Sequence, residues 1–208
     1  KLIYHSPTFG DEVRTFCMNP NGEVVQENYN GISTVNGHSY AEKTTNNTNF
    51  ALLVSEKFTE PFKEPIQYGQ HIARLANMLG GGILVQRFGD LLDGRRSTPE
   101  RIKSSVLTPT LTCATPGDLS LVIPYRQMTS IIEMLYALDK ICPGTASRYT
   151  LLYGIEVKFY SARVKLTNEL ETEGVKNLFT IGDGAGVTRG LIQASASGVH
   201  VARTICSR

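Results

Sequence analysis

The sequence predicts an α+β chain bordering on α/β, in which a mixed antiparallel sheet with helices is followed by a C-terminal strand, glycine turn and helix. Three observations predict it. Short β-prone runs crowd the first sixty residues, two apolar stripes at helical spacing occupy the middle, and a glycine-rich break separates an apolar run from a helix-like segment near the end.

The size and composition suit a globular chain. The 208 residues are enough to bury a core, and 41% hydrophobic with 19% charged residues is ordinary for globular proteins. No stretch approaches the roughly 20 apolar residues of a membrane span, so no membrane partner is expected. Lys and Arg total 21 against 19 Asp and Glu, scattered along the chain rather than banked, which argues against nucleic acid as a partner. Cys17, Cys113, Cys142 and Cys206 lie far apart with no Cys-x-x-Cys pair. That spacing predicts reduced thiols, a cytoplasmic location and no metal site. Lys1 opens the chain without an initiator methionine or signal segment, which predicts a piece of a longer protein.

Taken in order, the β-prone runs Val13 to Met18 and Glu23 to Gln26 flank Asn19-Pro20-Asn21-Gly22, and the Asn-Gly pair predicts a hairpin joining them. Residues 28–49, rich in Asn, Thr, Ser and Gly, read as loop and short strand before the apolar run Phe50 to Val54. Beyond Pro65, Ile72, Leu75, Ala76 and Leu79 fall at i, i+3, i+4 and i+7, and Gly80-Gly81-Gly82 supplies a left-handed cap. Met128, Ile131, Ile132 and Leu135 mark a second helix, stopped by Pro143-Gly144 after Lys140. From Gly154 to Tyr160, apolar Ile155, Val157 and Phe159 alternate with polar neighbours, the period of a half-buried strand. Leu178 to Ile181 then reads as a short strand and Gly190 to Cys206 as a helix. A composition shift near Asn168 predicts two segments, 1–166 and 167–208.

The break between that strand and helix carries the chemistry. Gly182-Asp183-Gly184-Ala185-Gly186 lets the backbone approach another group closely and points the unpaired amides of the next helix at it. It is not the opening fingerprint of a dinucleotide fold. Val187, Thr188 and Arg189 stand where G-x-G-x-x-G needs its third glycine, and no acid follows Asp183 to hold a ribose. Asp183 itself can accept hydrogen bonds from a polyol, and small residues beyond it (Gly190, Ala194, Ser195, Ala196, Ser197, Gly198) allow close packing. The positive end of the helix would favour an anionic group by about 0.3–1 kcal/mol. The alternative is a turn that is only structural.

Asn177-Leu178-Phe179-Thr180-Ile181-Gly182-Asp183-Gly184-Ala185-Gly186 resembles the second FAD-binding motif of glutathione-reductase-type flavoproteins, where the aspartate binds the flavin ribityl chain. The chain is similar, more closely and nearly end to end, to bacterial FAD-dependent or NAD(FAD)-utilizing dehydrogenases. The similarity runs through Thr15-Phe16-Cys17-Met18-Asn19-Pro20-Asn21-Gly22-Glu23-Val24-Val25, Asn36-Gly37-His38-Ser39-Tyr40, Ala51-Leu52-Leu53-Val54 and Gln86-Arg87-Phe88-Gly89-Asp90. Members open with a βαβ unit carrying G-x-G-x-x-G, absent here, and their Cys-x-Cys is here Cys17-Met18-Asn19, which argues against a dithiol mechanism.

The resemblance implies a fragment of an FAD-dependent oxidoreductase that transfers hydride or electrons, with NAD(P)H as a candidate electron donor. Residues 1–166 would be its substrate or cap domain and 167–208 the C-terminal segment of its Rossmann-like FAD domain. FAD would be held by Gly182, Asp183, Gly184, Ala185, Gly186, Gly190 and Leu191. Arg87, Asp90 and His38 are candidate substrate contacts for an unidentified small molecule, and the remaining partner is the N-terminal FAD-binding segment. The catalytic residues are unassigned. For Arg87 and Asp90 a surface ion pair worth roughly 0–1 kcal/mol is the competing reading. For the whole chain it is a non-catalytic binding or interaction domain.

Overall fold

The computed structural model describes residues 1–158 and 163–208. They form two compact units, Lys1–Val157 and Lys158–Arg208. The first unit runs β1 (Ile3–His5), β2 (Glu12–Asn19), β3 (Glu23–Tyr29), β4 (Ile32–His38), β5 (Asn49–Val54), α1 (Pro65–Gly80), β6 (Leu84–Arg87), α2 (Phe88–Leu92), α3 (Pro99–Lys103), β7 (Thr115–Pro116), α4 (Tyr125–Asp139) and β8 (Leu151–Gly154). The second holds one 3₁₀ turn, Asp183–Ala185, and α5 (Leu191–Cys206). The class is α+β.

The strands form three small sheets, ordered β1-β2-β5, β3-β4 and β7-β6-β8. The expected hairpin between Val13 to Met18 and Glu23 to Gln26 does not form. Strand β2 pairs along most of its length with β5 and through residues 12–14 with β1, while β3 pairs with β4. The hairpin is instead β3 with β4, where Tyr29 pairs with Ile32 and leaves Asn30-Gly31 as a two-residue turn. Asn30 and Gly31 have φ 52 and 79, the two successive left-handed residues that a twist-matched turn requires. Asn21 has φ 53, but Gly22 is not left-handed, so the first Asn-Gly pair cannot make that turn. The segment expected to be mostly loop therefore contains a seven-residue strand, β4.

Helix α1 ends as expected, with Gly81 at φ 68 donating its N–H to the Asn77 carbonyl. Its Ala73 and Ala76 are buried, Ile72 and Leu75 pack against the core, and Leu79 is exposed. Asn77 ties the helix to β4, donating to the Ser33 carbonyl and accepting from the Ser33 N–H. Helix α4 presents two apolar sides. Met128 and Leu135 join Ala76, Leu84, Phe88 and Leu119 in the main core, whereas Met134 and Leu138 pack with Val13 beneath β2 and β5. The period of 3.6 residues makes both sides from one run.

The strand expected from Gly154 lies earlier, at Leu151–Gly154, antiparallel to β6. Ile155 to Lys158 carry no strand, and Phe159 and Tyr160 lie outside the described residues. Ile155 and Val157 still face the core, with the Ile155 carbonyl accepting from the Val35 N–H. In the second unit, the expected strand at Leu178 to Ile181 is reduced to one bridge, Phe179 with Glu171. That run finds no neighbouring strand among the described residues of its unit, and a ladder needs a partner. Glu171 also accepts from the Asn177 N–H and pairs with Arg208, whose guanidinium lies over the Phe179 ring. These contacts tie the C-terminus to this loop.

Candidate functional site

The glycine turn is held to α5 by one buried hydroxyl. Ser197 Oγ accepts from the Gly182 N–H at 3.0 Å and donates to the Ala194 carbonyl at 2.6 Å. Gly182 and Gly186 have φ 70 and 71, conformations an L side chain rarely adopts. Between them the Gly186 N–H closes the turn on the Asp183 carbonyl. Ala185 is buried, whereas Asp183 and Gly184 face solvent and a Cβ at Gly184 would meet open space. The Thr188 hydroxyl donates to Asp183 Oδ1.

Gly190 leads into α5 in an extended conformation, and no side chain caps the helix. Its first residues, Leu191 and Ile192, are 88% and 83% exposed. An exposed carboxylate, an open glycine and uncapped helix amides thus share one short stretch. This donor and acceptor set fits the ribityl chain and ring edge of a flavin. Among the described residues the turn follows isolated bridges rather than a paired strand, the setting in which a glycine-rich loop holds a pyrophosphate. The sequence reading gave Thr188 no role and named Ser197 only as a small packing residue. The spacing of Ala194, Ser197 and Gly198 on one helix face was the available signal for the second.

Arg87 and Asp90 lie in the first unit, where β6 runs into α2. Asp90 is 1% exposed; it accepts from Ser97 Oγ at 2.8 Å and from Arg95 Nε at 3.0 Å. Gln86 is fully buried, accepting from the Leu119 N–H and donating to the Arg95 carbonyl. A Cβ on Gly89 would stand 2.8 Å from Arg148 Cβ, so the chains meet closely there. The Asp93 carboxyl is held below its ordinary range by hydrogen bonding from Arg148, reinforced by nearby arginine charge. Arg87 is half-buried with its guanidinium 5.1 Å from the Tyr149 ring centroid. Its Nε is enclosed and has no acceptor within hydrogen-bond distance. His38 ends β4, exposed, with its ring 4.5 Å from that of Tyr40.

Two further groups escaped the sequence reading. The Tyr153 hydroxyl on β8 is enclosed without a hydrogen-bond partner, and burial pushes its phenol up to about 12. Asp11 accepts from both Nε and Nη2 of Arg126 and from Ser130, and the arginine holds its carboxyl below the usual range. Among the described residues no group of three or more His, Cys, Asp or Glu could hold a metal ion. Among them, too, no helix is long and apolar enough to cross a membrane.

Comparison with known proteins adds the family. An uncharacterized protein of Clostridium beijerinckii (strain ATCC 51743 / NCIMB 8052) is 32% identical over 220 residues, covering 100% of this chain and 40% of the relative. The chain therefore spans 40% of the length of the curated relative it matches. Residues 1–159 match the family described as FAD-dependent protein, C-terminal domain-like, and the chain belongs to that family.

Proposed function

We propose that this chain supplies the ribityl-side half of the FAD site of a flavin-dependent oxidoreductase acting on a small molecule. The observation that carries the reading is the exposed Asp183 carboxylate beside the open Gly184 and the uncapped start of α5. When bound, FAD supplies the hydride or electron transfer, with NAD(P)H as the candidate donor. The chain's own residues hold and orient. Asp183 accepts from ribityl hydroxyls, Gly184 and Gly186 admit the cofactor to the backbone, and the amides at Gly190 and Leu191 face its negatively polarised edge. The pyrophosphate contacts belong to an N-terminal βαβ segment of a longer protein. Residues 1–166 would be the substrate or cap domain of that protein.

In the full-length protein, Asp183→Ala should weaken FAD binding about tenfold to a hundredfold, the worth of one charge-assisted hydrogen bond. The measurement is a flavin-fluorescence titration of the apo forms, with folding followed by circular dichroism. Unchanged affinity in a folded variant removes Asp183 from the site. A second reading, a non-catalytic interaction domain with a structural turn, draws on the Thr188 and Ser197 bonds that already satisfy part of the turn internally. Under that reading the variant loses stability and has no flavin to lose.

A further inference from the structure

The register of the β3-β4 hairpin decides where the β4 amides point. Tyr29 and Ile32 flank the two-residue turn as a hydrogen-bonded pair, and such pairs alternate with non-hydrogen-bonded ones along an antiparallel ladder. Ser33, Val35 and Gly37 therefore turn their N–H groups away from β3. The first two reach other segments, Ser33 N–H donating to Asn77 Oδ1 at 2.8 Å and Val35 N–H to the Ile155 carbonyl at 3.1 Å. The Gly37 N–H instead donates at 2.8 Å to Oδ1 of Asn36, the residue before it. An amide C=O is about 1.2 Å long, so this bond holds Asn36 Cγ within about 4 Å of the Gly37 nitrogen.

Those two atoms are the ends of a five-membered ring that can close. The nitrogen after an asparagine can attack the side-chain amide, and a glycine at that place has no side chain to obstruct it. Asn-Gly pairs begin at Asn21, Asn30 and Asn36, and they differ in what holds the glycine nitrogen. The Gly31 N–H is taken by Asn28 Oδ1 at 2.9 Å, and Gly22 is buried. At Asn36, alone of the three, the asparagine's own amide is bonded to the glycine N–H.

We propose that Asn36 is a site of spontaneous modification, at which the side-chain amide becomes a carboxylate by way of a succinimide, with water and hydroxide as the co-reactants. Hydroxide takes the Gly37 N–H proton and the nitrogen bonds to Asn36 Cγ. The Cγ–Nδ2 bond then breaks, and Nδ2 leaves as ammonia with a proton from water. Water adds to either carbonyl of the ring and opens it to aspartate or isoaspartate, with no change of oxidation state. The products fit the hairpin poorly. Asn36 Nδ2 donates to Glu27 Oε1 at 2.7 Å, and a carboxylate in its place sets like charges on neighbouring strands. Isoaspartate also lengthens the β4 backbone beside Gly37, where an added Cβ would meet Asn49 Oδ1 at 2.0 Å and Asn19 Nδ2 at 2.3 Å. The step loosens the hairpin at a rate set by pH and time. It lies wholly within the Lys1–Val157 unit and does not depend on the flavin reading.

The test ages the folded 208-residue chain in H₂¹⁸O at mildly alkaline pH. Digestion in ordinary water at mildly acidic pH then confines the label to changes made in the folded chain, and mass spectrometry follows the three Asn-Gly peptides. Label should enter at Asn36 before Asn30 or Asn21, at a rate proportional to hydroxide concentration. Asn28→Ala, which releases the Gly31 N–H, should speed labelling at Asn30 by up to about tenfold, the rate equivalent of one hydrogen bond, and leave the rate at Asn36 unchanged. The aged parent should melt below the fresh one, whereas Asn36→Gln, whose longer side chain cannot close the same ring, should keep its midpoint. The proposal is overturned if Asn36 stays unlabelled, if Asn21 or Asn30 is labelled first, or if ageing lowers the midpoint of Asn36→Gln as much as that of the parent.

Discussion

Asp11 shows how single carboxylates lock this fold. It is 8% exposed and accepts from Arg126 on both oxygens, Nη2 on Oδ1 and Nε on Oδ2, while the Ser130 hydroxyl also donates to Oδ2 at 3.3 Å. Because the arginine lowers the folded-state pKa, the stabilisation is present above the ordinary carboxylate range and is lost as the pH falls through the depressed folded value. Asp11→Asn should therefore cost about 1–2 kcal/mol at pH 7, the lower part of the charge-assisted range because Arg126 is 53% exposed. Urea denaturation at pH 7 and at about pH 3 measures this, and the gap between parent and variant should shrink at the lower pH. A gap independent of pH would mean that shape, not charge, holds the site. At this scale the sequence was partly legible. It singled out Arg87 and Asp90 together, but their surroundings depend on Ser97, Tyr149 and Leu119, brought in from separate segments. Asp11 and Tyr153 gave no local signal, since an acid outside a motif and a tyrosine in an apolar run read as surface and core.

At the scale of elements, helices were easier to read than strand partners. Periodicity and the glycine cap located α1, and the apolar stripe located α4, because those signals are contained in a few consecutive turns. Strand pairing is decided by segments distant in sequence, and nothing local in Val13 to Met18 says that β5 rather than β3 will be its main partner. The competing Asn-Gly pairs differ in the conformation of the glycine, which only the folded chain fixes. The Asn30-Gly31 turn gives a direct check. Gly31 sits at φ 79, so Gly31→Val should destabilise the first unit by about 1–2 kcal/mol through left-handed strain. Asn30→Gly should be nearly neutral. Denaturant midpoints of the two variants decide it, and a harmless Gly31→Val would argue against the β3-β4 turn.

At the scale of the whole molecule, the family match covers residues 1–159 and stops short of the glycine turn at Gly182 to Gly186. The proposal for FAD contact therefore stands on the turn's own geometry, and the family supplies the flavin context. This chain spans 40% of the length of its relative, and the proposed function assigns the pyrophosphate contacts to a further segment. Half of a cofactor site contributes only part of the binding free energy, and each lost charge-assisted contact weakens affinity by about an order of magnitude or more. Isothermal titration of FAD into this chain, beside the same region within a full-length protein of the family, measures that division directly. The 208-residue chain should show weak or no binding and purify colourless, whereas the full-length protein should hold one FAD and absorb as a flavin. A tight, stoichiometric FAD complex of this chain alone would contradict the division of the site, and a full-length protein that takes up no flavin would contradict its assignment to FAD.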